Sequence, residues 1–144
     1  WYINYGACPL NGGNQPYSQR NLLRKIISDA DSCIALPHPG VTLRYGHDTM
    51  VMPLTCLMDL DEMGMQVSDL EQLAYKGWNN YRIFPMACNI QFVFYHKKGS
   101  KDILVKVLRN ENEATLPIKT DIAPYYHWKD VRQYYLDKLN KFTE

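Results

Sequence analysis

Thr42-Leu43-Arg44-Tyr45-Gly46-His47-Asp48-Thr49-Met50-Val51-Met52-Pro53-Leu54 is the stretch from which the rest of the chain is read. It divides into a short apolar run, a Gly-His-Asp-Thr corner and a second apolar run. The pattern predicts a strand from Val41 to Tyr45, followed by a helix from Thr49 to Leu60. Open α/β sheets place their ligand sites where a strand end feeds a helix start. The first turn of such a helix has unpaired N–H groups and a partial positive charge, and so favours an anion. His47 and Asp48 put a cation-capable donor beside a possible proton donor at that corner. Such a pair suits holding a phosphoryl group and protonating its leaving oxygen. Pro53 falls near the edge of the first turn, where it is expected to loosen the turn and leave more N–H groups free near Asp48.

Upstream, residues 1–16 are rich in Gly, Pro and Asn and read as irregular. Their aromatics Trp1, Tyr2 and Tyr5 are expected to pack onto something, a missing part of the protein included. Ser18 is positioned to cap a helix through about Ser32, with Leu22, Leu23, Ile26, Ile27 and Ala30 on one apolar face. Arg20, Arg24 and Lys25 fall on its other faces and read as solvated charge. Leu36-Pro37-His38-Pro39-Gly40 is a rigid turn into the predicted strand.

Downstream, Ser68-Asp69-Leu70-Glu71 fits a capping box, with Leu70, Leu73 and Ala74 inward and Gly77 as the stop. Cys88, Ile90, Phe92 and Phe94 alternate with Asn89, Gln91, Val93 and Tyr95 as in a strand. Lys97-Lys98-Gly99-Ser100 then turns the chain, and Ile103, Val105 and Val107 continue it as the second arm of an antiparallel hairpin. Tyr126 to Phe142 reads as a closing helix with Val131, Tyr135, Leu136 and Leu139 as its stripe. The order helix, strand, helix, helix, hairpin, helix suits an α/β fold. It predicts a mixed sheet with helices on both faces, the Val41 strand central and the hairpin outward.

The chain has 144 residues, 46% of them hydrophobic, which is enough for one globular domain with a core. Sixteen basic residues against fifteen acidic ones give a net charge of +1 and no basic footprint for nucleic acid. The longest apolar runs are too short to span a membrane. Cys8, Cys33, Cys56 and Cys88 are widely spaced without a Cys-x-x-Cys pair, so no metal site is read from them. Two disulfides with three connectivities remain conceivable, although Cys56 on an apolar helix and Cys88 in a strand read as buried thiols.

The corner and its surroundings resemble the second signature of the histidine acid phosphatases, the acid phosphatase and phytase branch of the histidine phosphatase superfamily. There a Gly/Ala-His-Asp-Thr run follows a strand and precedes an apolar, often Pro-containing helix. The aromatic-rich strand from Ala87 to Tyr95 and the hydrophobic strand ending at Asn110-Glu111 continue the likeness, which covers Thr42 to Glu113. The resemblance implies a three-layer α/β/α fold, of which residues 1–144 are a single partial domain: a lead-in over 1–16 and core from 17 onward. It implies that His47 donates to a phosphate oxygen, that Asp48 protonates the leaving alcohol, and that no cofactor or metal takes part. It also implies a phosphomonoester substrate, phytate or another inositol phosphate among the candidates, and a periplasmic or secreted location.

The family's nucleophile is a histidine in an Arg-His-Gly motif. None of His38, His47, His96 and His127 follows an Arg or precedes a Gly. With the abrupt start at Trp1, this implies a C-terminal portion whose partner is the missing N-terminal part of the same protein. Inositol polyphosphate phosphatases of the superfamily often carry the acid as Glu in a His-Ala-Glu run, and His47-Asp48 departs from that.

Each candidate residue has a second reading. Asp48 can serve as a helix N-cap, which wants a carboxylate, whereas an acid must hold a proton; a neighbouring phosphate favours the protonated form. Thr49 can bind phosphate or merely begin the helix, and Arg44 can reach the phosphate or face a neighbour or solvent. His38 reads as a turn residue, His96 and His127 as surface, and Tyr125, Tyr126, Tyr134 and Tyr135 as packing. The rival function is a non-catalytic module that binds an anion or a partner and has lost the nucleophile.

Overall fold

The computed structural model describes residues 1–143. Its helices are α1 (Tyr2–Tyr5), α2 (Arg20–Ile34), α3 (Asp48–Met58), α4 (Asn80–Ile83) and α5 (Trp128–Lys141). Its strands are β1 (Ile90–His96), β2 (Ile103–Arg109), β3 (Asn112–Glu113) and β4 (Tyr126–His127). β2 is the centre of an antiparallel sheet. It pairs with β1 from Ile90↔Arg109 to His96↔Ile103, and its other edge is shared by β3 and β4.

The period-two pattern read from β1 turns Phe92 and Phe94 to the same face as Val105 and Val107 of β2. There they meet Leu23, Ile27 and Ala30 of α2, Leu54, Leu57 and Met58 of α3, and Val131, Tyr135 and Leu139 of α5. Asp31 fastens α2 to α5, accepting from Trp128 Nε1 at 3.0 Å and Arg132 Nε at 2.7 Å. A second cluster gathers Tyr2, Cys8, Met52, Cys56, Val67, Trp78 and Ile83. α3 belongs to both clusters, Met52 and Cys56 facing the second.

The predicted strand at Val41–Tyr45 is the main departure. The segment carries no secondary structure and pairs with none of the described strands. Its composition suits a strand, but a strand also needs a neighbour to take its N–H and C=O groups. Among the described residues the sheet is accordingly antiparallel rather than mixed, and Val41–Tyr45 is not its centre.

The segment from Ser68 to Gly77 forms only a short 3-10 turn, Leu70–Gln72. Asp69, rather than Ser68, caps it through Glu71 N at 3.1 Å, and only Leu73 of the three expected inward residues packs on the core. Gly77 does end that stretch, at φ +91°, where an L side chain is strained. Residues 1–16 are more ordered than their composition suggests. Tyr2 is buried against Trp78, donating to the Met65 carbonyl at 2.9 Å and accepting from Val67 N at 2.7 Å. All four cysteines are free, with Cys8 and Cys56 buried and Cys88 half-buried. Burial pushes the Cys56 thiol up to about 12.

Candidate functional site

The Gly-His-Asp-Thr corner opens α3. His47 occupies the N-cap position in extended backbone (φ −89°, ψ 158°), and its carbonyl accepts from Met50 N at 3.0 Å and Val51 N at 3.3 Å. The bulky apolar residues that follow place α3 between the two clusters, so its N-terminus is held at the surface while its remainder is buried. His47 and Asp48 are both exposed. The His47 imidazole has no hydrogen bond among the described residues, which leaves its ring nitrogens open to an incoming group.

Asp48 is the first helical residue rather than the cap, and its carboxylate accepts from Thr49 N at 2.8 Å. An acidic side chain there is favoured by the helix dipole, and the residue is exposed. Pro53 lies further into α3 than expected. Its missing N–H deprives the carbonyl of Thr49, four residues back, of a donor and so adds no free N–H at the corner. The unpaired donor there is the Asp48 N–H.

Arg44, three residues before His47, is hydrogen-bonded to Asp29 on α2. Asp29 also takes Lys25 Nζ at 2.5 Å, and Lys25 and Arg44 together hold its carboxyl below the usual carboxylate range. The structure therefore brings His47, Asp48 and Thr49 together on one helical turn and engages Arg44 elsewhere. A neighbour absent from the sequence reading is Cys88, whose thiol is pushed up by burial and, secondarily, by the nearby Asp48 charge. Nothing in the spacing of residues 48 and 88 signals that approach.

The other histidines keep away from the corner. His38 Nδ1 meets its neighbour's carbonyl, on Pro39, at 3.0 Å, and His96 Nε2 meets the Ser100 carbonyl at 3.0 Å in the hairpin turn. His127 is no plain surface residue: Nδ1 lies 2.8 Å from Asp102 and Nε2 2.8 Å from Asp121. No group of three or more His, Cys, Asp or Glu among the described residues is arranged to hold a metal ion.

The Bifidobacterium longum multiple inositol polyphosphate phosphatase in complex with phosphate superimposes with a TM-score of 0.77 and 23% identity, over 93% of this chain and 29% of that one. Its complex with inositol hexasulfate gives 0.71 and 25%, over 86% and 27%. In sequence, 122 residues are 27% identical to multiple inositol polyphosphate phosphatase 1 of Gallus gallus, covering 81% of this chain and 27% of the relative. The Homo sapiens protein of that name is 27% identical over 104 residues, covering 65% and 21%. The chain is similar in sequence and in fold to a part of the multiple inositol polyphosphate phosphatases. No family model matches it. It spans about a quarter of the length of the curated phosphatases it matches. These relatives bear the name of the inositol polyphosphate side of the family, from which the His47-Asp48 pair departs.

Proposed function

We propose that this chain is the C-terminal portion of a histidine-type acid phosphatase that hydrolyses phosphomonoesters, inositol phosphates such as phytate among them. The observation that carries this reading is the exposed His47-Asp48 pair on the first turn of α3, in a chain homologous to inositol polyphosphate phosphatases. A histidine outside this chain attacks phosphorus and forms a phosphohistidine. His47 donates to the phosphoryl oxygens, the Asp48 N–H and the helix dipole add to that field, and Thr49 binds beside them. Arg44 joins them by exchanging Asp29 for the phosphate. As the ester P–O bond breaks, Asp48 protonates the leaving oxygen. Its carboxylate then takes a proton from the water that attacks the phosphohistidine and releases phosphate. A periplasmic or secreted location belongs to the same reading, and no helix of the described residues is long and apolar enough to cross a membrane.

The test is Asp48→Asn in the full-length polypeptide. Asparagine can accept from Thr49 N as aspartate does and gives up only an exposed charge at the helix start, so the variant should stay folded with a small shift in its melting curve. It cannot act as a carboxylic acid, and general acid catalysis contributes about 10²–10⁴-fold. Phytate and simple alkyl phosphates, whose alkoxides leave badly, should lose most of their rate. Nitrophenyl phosphate should lose much less in its first step, read as the burst of nitrophenol. Equal losses on both esters in a folded variant would mean that Asp48 orients or caps instead. The 144-residue chain alone should release no phosphate; turnover by it, abolished by His47→Ala, would place the attacking group within this chain.

A further inference from the structure

The segment between α4 and β1 brings the chain back to the corner. α4 packs on α3, and its last residue, Ile83, is wholly buried in the cluster that holds Met52 and Cys56. Met52 lies four residues beyond Asp48, on the same face of α3. The chain leaving Ile83 therefore starts on the side of α3 that carries Asp48. By Cys88 it is near enough for the Asp48 charge to act on the thiol.

Between these points Pro85–Cys88 form a tight turn, closed by Cys88 N donating to the Pro85 carbonyl at 3.0 Å. Ala87, its third residue, has φ +60°, a left-handed conformation where glycine or asparagine is usual. Both feet of the turn are fixed. Phe84 packs into the same cluster and lies against the Trp1 ring, 5.0 Å between centroids. On the other side Asn89 N donates to Asn110 Oδ1 at 3.0 Å, and the Asn89 carbonyl accepts from Asn110 N at 2.9 Å. Asn110 Nδ2 also donates to the Ile83 carbonyl at 3.1 Å, so one side chain joins the end of α4 to the start of β1. Backbone strain persists only where its surroundings over-determine it, and it gathers at ligand sites. Met86, at the tip of the turn, is 99% exposed. A lone exposed apolar residue is ordinary on a protein surface, but this one is carried on a fixed, strained turn beside the proton donor.

We propose that the Pro85–Cys88 turn is the wall of the site on the leaving-group side of Asp48, and that Met86 is a specificity-determining residue that packs on the carbon skeleton of the leaving alcohol. This rests on the reading that Asp48 protonates that alcohol. The oxygen that takes the proton is bonded to the alcohol's carbon, so the alcohol lies beside Asp48 as the P–O bond breaks. An inositol ring presents C–H surface between its phosphates, and an unbranched, polarisable methionine fits such irregular apolar surface. Because both feet of the turn are held, the wall is formed before substrate arrives.

The test places opposite charges at residue 86 of the full-length polypeptide, as Met86→Lys and Met86→Asp. The side chain has no packing to lose, so both variants should fold, as a melting curve would check. The leaving group of phytate still carries its other phosphates, whereas that of ethyl phosphate is uncharged. At about 0.15 M salt, exposed charges more than about 8 Å apart are largely screened, so only a residue beside the leaving group should tell the two esters apart. The ratio of kcat/KM for phytate to that for ethyl phosphate should be roughly tenfold or more higher in Met86→Lys than in Met86→Asp. Affinity for inositol hexasulfate, read by calorimetry without turnover, should follow the same order. Equal ratios and equal affinities in two folded variants would overturn the proposal, even if the protein hydrolyses phytate. An affinity split in a full-length protein that hydrolyses no phosphomonoester would keep Met86 at the ligand and sink the enzymatic reading. A folded full-length protein that neither hydrolyses phosphomonoesters nor binds inositol hexasulfate would overturn both.

Discussion

At the start of α5, His127 offers each ring nitrogen to a different carboxylate, Asp102 on one side and Asp121 on the other, both at 2.8 Å. A neutral imidazole has one donor and one acceptor, so two carboxylate partners are satisfied together only by imidazolium. The hydrogen bonds to Asp121 and then Asp102 raise the His127 pKa, and the bond from His127 lowers that of Asp121. A raised folded-state value fixes the sign of the linkage. The stabilisation is fully present below the unfolded histidine value, about 6.5, and is lost as pH rises through the folded-state value. Melting temperature should therefore fall across that window in the wild type and stay flatter in His127→Gln; matching slopes would show that the imidazolium bridge adds nothing. This bridge was not legible in the sequence, because its partners stand 25 and 6 positions from His127. The His47-Asp48-Thr49 corner was legible because its parts are contiguous and one helical turn gathers them.

Helices were readable wherever a stripe of the right period met a buried face. The stretches read as helices at Ser18–Ser32, Thr49–Leu60 and Tyr126–Phe142 correspond to α2, α3 and α5, with ends displaced by about two residues, as helix ends commonly are. The hairpin followed from period-two alternation around Lys97–Ser100. The Ser68–Gly77 helix failed because Leu70 and Ala74 have nothing to pack against, and a cap alone does not stabilise a short helix. Less visible still was how α3 ends. Its last carbonyls are met from α5: Tyr135 Oη donates to the Met58 carbonyl at 2.8 Å and Lys138 Nζ to the Leu57 carbonyl at 2.6 Å. These bonds tie the C-terminal end of the helix that carries His47 to α5. Tyr135→Phe keeps the ring and removes the donor, leaving the buried Met58 carbonyl unpaired at a cost of about 1–3 kcal/mol. Urea unfolding should show a lower midpoint at unchanged slope. An unmoved midpoint would mean that another donor meets that carbonyl.

Over the whole molecule, one helix ties together two hydrophobic clusters that the sequence had not separated. The cluster around α2, α5 and the sheet takes Leu54, Leu57 and Met58 from α3, whereas the cluster around Tyr2 and Trp78 takes Met52 and Cys56. The segment expected as the central strand pairs with none of the described strands, and no pattern within a segment reveals whether it has a neighbour to pair with. The sharing of α3 has a mechanical consequence: neither cluster can lose its packing without loosening the helix that supports the other. The two buried tryptophans report on the clusters separately, Trp128 in the first and Trp78 in the second. Leu57 lies wholly in the first and is 1% exposed, so Leu57→Ala should cost about 2–5 kcal/mol. The discriminating measurement is that shift in two backgrounds, Trp78→Phe and Trp128→Phe, each leaving one buried reporter. If the molecule unfolds as one unit, Leu57→Ala lowers the denaturant midpoint by the same amount in both. A shift confined to the Trp128 signal would mean that the clusters melt independently. The corner at the N-terminus of α3 would then be held by the Tyr2–Trp78 cluster alone.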